Sequence, residues 1–122
     1  MVSIPQNKKS TKNQFLEWVL LDLFPKIPHL TSKAMFGGYG LYSKGQIFGI
    51  IVKETLFLKV GELNQTDYQN GESKPFQYTR PDGTVGGMSY WTLPTEVLEH
   101  PELAQQWAEK AIKQSLVSKK SR

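Results

Sequence analysis

Between residues 13 and 25 the apolar side chains fall three and four apart. Leu16, Leu20 and Leu23 share one side with Phe15 and Val19 nearby, while Gln14 and Glu17 mark the other. That spacing predicts a helix that Ser10 or Thr11 can cap and Pro25 ends. Trp18 widens its apolar stripe, and Leu21 falls on the polar side. From Lys33 onward the pattern changes to short runs rich in aromatic and β-branched residues, punctuated at residues 43–45 and by the pair Lys53 and Glu54. This predicts a three-stranded meander reaching Val60. Its middle member, residues 47–52, is apolar on both alternating faces: Ile47 and Ile51 point one way, Phe48, Ile50 and Val52 the other. Such a strand needs cover on both sides. The third member sets Leu56, Leu58 and Val60 on one face against Phe57 and Lys59 on the other, as a more exposed neighbour would.

Asn64 is then placed to cap one or two helical turns and Gly71 to end them. A second hairpin follows, with Pro81, Asp82 and Gly83 supplying the turn between residues 75–80 and 85–93. Pro94 and Thr95 open a short turn of helix, and Pro101 suits the first position of a long final helix reaching about Ser115. Leu103, Trp107, Ala108, Ala111 and Ile112 line its inner side, and Glu109 and Lys113 pair outside. The order predicts an α+β domain over residues 13–116: a five-stranded antiparallel sheet of 3+2 hairpins with an N-terminal helix, a short middle helix and a long C-terminal helix.

A chain of 122 residues suits one ordinary core. The absence of cysteine excludes disulfides, thiolate metal sites and cysteine nucleophiles. No apolar run approaches the ~20 residues of a membrane span or forms a signal-peptide core, so a soluble, cytoplasmic protein without a membrane partner is expected. The net charge of +4 arises mostly at the ends, in a basic segment 1–12 holding Lys8, Lys9 and Lys12 and a basic tail 117–122 holding Lys119, Lys120 and Arg122. These lysines and arginine are solvated tails or contacts to a polyanion such as nucleic acid.

The segment Met35, Phe36, Gly37, Gly38, Tyr39, Gly40 is the densest motif in the chain. As a dinucleotide fingerprint it fails, because Ser43 stands in the third glycine position and a strand rather than a helix follows. As a P-loop it fails at Gln46, where the lysine would be. The glycines are better explained by a strand that bulges, or that another element approaches closely, with Ala104, Ala108 and Ala111 of the final helix as the matching small surface. Gly86 and Gly87 repeat the device.

Catalytic chemistry finds no foothold. His29 and His100 lack cysteine or carboxylate partners at metal-ligand spacing, and Glu96 and Glu99 suit a helix start. No catalytic, metal or cofactor residue is expected. Phe36, Tyr39, Tyr42, Tyr78, Tyr90 and Trp91 could stack single-stranded nucleic acid, but the chain has only Arg80 and Arg122 to interleave with them.

Five segments in order then carry a resemblance: "MFGGYGLY", "FGIIVKETLFLKV", "PFQY", "MSYWTLPTEVLE" and "WAEKA". Over residues 13–115 the chain resembles the N-terminal domain of the TfoX/Sxy proteins, bacterial regulators of natural competence. The resemblance implies a non-enzymatic regulatory or interaction module working through a protein partner in transcription, where the cyclic-AMP receptor protein is implicated at competence promoters. It carries no catalytic residue onto this chain. Full-length competence regulators have a second, helical domain after this one; here a stand-alone N-terminal domain is expected. Two further expectations accompany it. A homodimer would cover the second face of residues 47–52, and direct nucleic-acid binding, the alternative function, would be weak and rest on the basic ends and exposed rings.

Overall fold

The computed structural model describes residues 12–35, 37–69 and 72–120. Helix α1, Lys12–Trp18, passes directly into a π-helical turn, Val19–Leu23. There the Phe24 N–H donates to the Val19 carbonyl at 2.9 Å, a step of five residues in place of four. Trp18, Val19, Leu23 and Phe24 are buried together, while Leu21 stays 69% exposed as its position on the polar side implied. The expected caps Ser10 and Thr11 lie outside the described residues.

Among the described residues the sheet has six antiparallel strands in place of the five expected. They are β1 Leu30–Met35, β2 Gly38–Ser43, β3 Gln46–Val52, β4 Thr55–Lys59, β5 Pro75–Thr79 and β6 Val85–Thr92, in the order β1-β2-β3-β4-β6-β5. The added strand is β1. Gly37, with φ of +76°, turns the chain between β1 and β2, which divides what the pattern joined as one strand. Residues 31–34 are exposed, and an edge strand that keeps polar side chains outward shows no hydrophobic alternation. The next two turns are two-residue hairpins with positive φ at both positions, Lys44 with Gly45 and Lys53 with Glu54. Those mirror-image turns match the twist of the strands they join.

One face of the sheet carries Leu41, Phe48, Ile51, Leu56 and Leu58 into the core. Phe24 meets Phe48 edge-on at 6.0 Å there. Helix α3, Pro101–Lys120, lies over β3 and β4, with Ala104, Ala108 and Ala111 fully buried between. Side chains this small let the helix approach the strands closely, as four-residue ridges do. Its far end is pinned by polar contacts: Ser115 Oγ donates to the Ile47 carbonyl, and Gln46 Nε2 donates to Ser115 Oγ at 2.8 Å. Gln114 Oε1 accepts the Leu63 N–H at 2.8 Å.

Asn64, expected as a helix cap, has another task. It is 1% exposed, accepts the Gly61 N–H through Oδ1 and donates through Nδ2 to the Lys59 carbonyl, both at 2.9 Å. It thereby closes the loop after β4, and only a 3-10 turn, Gln65–Tyr68, follows. Gly71 lies outside the described residues. The indole of Trp107 rests edge-on against Tyr68 at 4.6 Å and so anchors α3 to that turn. Burial, with Asp67 beside it, pushes the Tyr68 phenol well above the ordinary tyrosine range. The short helix α2, Thr95–Leu98, stands where Pro94 and Thr95 placed it, and Glu72 accepts the Thr95 N–H at 3.2 Å. The chain after Ser115 departs from expectation, since α3 continues to Lys120. No glycine or proline interrupts residues 116–120, so the helix propagates through the segment expected to be a tail.

Within the glycine motif Gly38 serves close packing, by a route the sequence did not show. A Cβ on Gly38 would stand 1.9 Å from the Ile51 carbonyl oxygen, so what crowds it is the backbone of β3, not α3. The register between β2 and β3 slips after Leu41, which pairs with Gly49 while Tyr42 pairs with Ile47. The extra residue, Phe48, therefore lies on β3 and not in the glycine-rich strand. Gly38→Ala should lower stability by about 2–3 kcal/mol, because a backbone atom cannot move aside. Gly40→Ala meets only side-chain atoms of Met35, Tyr42 and Ile47 and should cost about 1 kcal/mol. Chemical denaturation measures both, and an unchanged midpoint for Gly38→Ala would refute the close approach.

Candidate functional site

Among the described residues no helix packs on the sheet's second face, yet Ile50 at its centre is only 6% exposed and Tyr90 only 5%. The lining of the groove on this face explains how. Met35 of edge strand β1 borders the same space as Phe76 and Tyr78 of the opposite edge strand β5. Two edges that border one space imply a curled sheet, and the bulge at Phe48 is one source of such coiling. Curling thus supplies the second cover that residues 47–52 demand. A second copy of the chain was the cover expected there.

The groove encloses about 530 Å³. Ile47, Ile50 and Val52 line it from β3, and Phe76, Tyr78 and Tyr90 line it from β5 and β6. Glycines shape two of its margins. Gly40 leaves room for the side chains of Met35 and Ile47, and Gly86, paired with Tyr78, leaves room for the Tyr78 ring and the Arg80 guanidinium to lie across it. Phe57 and Phe76 meet edge-on at 5.2 Å, extending the aromatic wall to β4.

Cations sit over the rings. Arg80 is 5.4 Å from the Tyr78 centroid, Lys59 is 5.4 Å from that of Tyr90, and Lys33 is 5.9 Å from that of Tyr42. Such pairs contribute about 0.5–1 kcal/mol at exposed sites. Burial raises the Tyr90 phenol above its ordinary range, with Tyr42 adding to the effect, so the ring stays neutral beside Lys59 at physiological pH.

Of the rings considered for stacking, the structure therefore brings Tyr42, Tyr78 and Tyr90 to this face and adds Phe57 and Phe76. Tyr39 lines the groove while also packing against the core, Trp91 packs against the core, and Phe36 lies outside the described residues. The motif is split likewise: Met35 and Gly40 border the groove, Gly37 turns, Gly38 packs on β3, and Trp107 is remote on α3. Among the basic candidates, Lys12 opens α1, Lys119 and Lys120 end α3, and Lys8, Lys9 and Arg122 lie outside the described residues. His100 Nδ1 lies 2.8 Å from the Glu96 carbonyl, and His29 sits in a turn with φ of +50°. No group of three or more acidic or histidine side chains is placed to hold a metal among the described residues, and no helix there is long and apolar enough to cross a membrane. Sequence reasoning missed Lys33 and Lys59 as site residues. The signal available was the lone lysine within each of two otherwise uncharged strands.

If the helix-side face holds the fold and the groove face contributes less, the two should differ on truncation. Phe48→Ala, on the fully buried side, should cost about 3–5 kcal/mol. Phe76→Ala, half-buried on edge strand β5, should cost about 1 kcal/mol and leave a cooperative melt. Equal losses would mean that the groove is part of the core.

The family model described as TfoX N-terminal domain matches residues 22–115, from the π-helical turn to the residue that pins α3 to β3. No curated protein matches the chain. The match spans the whole sheet, α2 and α3 as far as Ser115, and the chain belongs to the TfoX N-terminal domain family.

Proposed function

We propose that the chain is a non-enzymatic regulatory module that acts through a protein partner in bacterial transcription, in the manner of competence regulators. Membership of the TfoX N-terminal domain family carries this reading. The groove supports the partner, because concave apolar surfaces with a few polar groups at their margins are where proteins take ligands and peptide side chains. Direct nucleic-acid binding is the second reading, favoured by Lys119 and Lys120 at the end of a helix.

The full chain used as bait in host lysate, with and without nuclease, separates the two. Retention of the same protein partner after nuclease, and after deletion of residues 1–11 and 118–122, is the expected outcome. Duplex DNA binding by the intact chain should be weak, indifferent to sequence and steeply salt-dependent, with a log–log slope near −0.9 per phosphate contacted. Sequence-specific, salt-resistant binding that survives the double deletion would overturn the partner reading.

A further inference from the structure

The strands contain no aspartate or glutamate. Lys33 and Lys59 lie on them, and Arg80 directly follows β5. Among the described residues none of the three forms an ion pair; the ion pair there joins Lys110 to Asp67, on α3 and the 3-10 turn. The acid nearest Arg80 in sequence, Asp82, accepts the Thr84 N–H at 3.0 Å and the Thr84 hydroxyl at 2.7 Å, which hold its carboxyl below the ordinary range. The groove is therefore apolar in its floor with cations at its margins. The strands supply no carboxylate, Lys33 and Lys59 form no ion pair among the described residues, and Arg80 reaches Asp82 only through the Thr84 hydroxyl, to which its Nη1 donates at 3.3 Å.

We propose that this groove binds an acidic segment of the partner protein, one that carries a large apolar side chain between carboxylates. The inference rests on the partner reading above and names the chemistry of what docks. Spacing favours a polypeptide over a single-headed anion. Arg80 lies two strands beyond Lys59 and several residues further along the strands, past Thr79, which pairs with Val85 where Lys59 pairs with Tyr90. Lys33 and Lys59, three strands apart, are about 14 Å from each other at about 4.8 Å per strand before curling draws them in. Carboxylates three or four residues apart on an extended chain span that distance at about 3.3 Å per residue. The apolar residue between them would enter the space over Ile50 and Val52.

The other occupants fit less well. Nucleic acid stacks on open aromatic faces, whereas here the floor is aliphatic and cations already stand over Tyr78 and Tyr90. A second copy would bring the same cations against one another. The chain's own residues 1–11 hold Lys8 and Lys9 and no acid.

The test is selection of randomised peptides, long enough to cross the face, from a displayed library against the full chain. Enriched peptides are titrated into isotope-labelled protein and followed by amide chemical shifts. Aspartate or glutamate flanking leucine, phenylalanine or tryptophan should be enriched, and the shifts should map to β3, β5 and β6. The double variant Lys59→Glu with Arg80→Glu should weaken binding by about tenfold, as two lost and reversed charge pairs would. Replacing the peptide's acids by lysine should restore binding to that variant. Circular dichroism verifies that the variant is folded. Enrichment of basic or uncharged peptides, shifts on another face, or an unchanged affinity in the variant overturns the proposal. So does tighter saturation of this face by a single-stranded oligothymidylate, or a concentration-dependent dimer that shifts the same amides. Each of these failures leaves partner capture from lysate to be decided separately, because a partner could dock on α3 or α1.

Discussion

The two-sided apolar character of β3 is the constraint on which the rest of the structure depends. Phe48 and Ile51 must be covered from one direction and Ile50 and Val52 from the other, and a domain with one substantial layer of helices can meet only the first demand. The helices meet it through Ala104, Ala108 and Ala111, whose small side chains bring α3 down onto β3 and β4. The second demand is met by the sheet itself. Its edges curl until Met35 and Phe76, at opposite ends of the strand order, border one space.

Several local features become intelligible as consequences of that curl. The bulge at Phe48 bends β3, and Gly38 lets the β2 backbone pass close to Ile51. Gly40 and Gly86 remove side chains where the curled face would otherwise fill with its own atoms. A sheet that covers its own centre incompletely leaves a groove, and the cations over the tyrosines that border it form no ion pair among the described residues. The same geometry that completes the core therefore makes the surface that a partner would read.

Much of the fold was legible in the sequence because it was written in local patterns. The 3.6-residue spacing of Leu16, Leu20 and Leu23, the turn at Pro81 to Gly83 and the proline at 101 each stand where they were read. The run at 47–52 is apolar on both faces, but the bulge at Phe48 turns Phe48 to the core with Ile51 and leaves Ile47 on the groove with Ile50 and Val52, against the simple alternation. What escaped was either polar or non-local. Strand β1 has exposed residues at 31–34 and no hydrophobic signature, so the sheet was counted one strand short. Asn64 was read as a cap because a cap and a loop-closing amide look alike in sequence. The groove joins residues 35 and 76, and its cations meet rings across strand pairs such as Lys59 with Tyr90, which no spacing along the chain reveals. The family resemblance, carried by five ordered segments, was legible and holds over residues 22–115.

The central claim is that one face of the sheet is closed by helices and the other only by the sheet's own curl. Side-chain proton relaxation in the presence of a soluble gadolinium chelate reads this directly in the full chain. Phe76 and Tyr78, and to a lesser degree Val52, should be strongly broadened, while Phe48, Leu41 and Leu58 remain sharp. Uniform protection of both faces, or nuclear Overhauser contacts from residues 1–11 or from a second copy onto Phe76 and Tyr78, would contradict it.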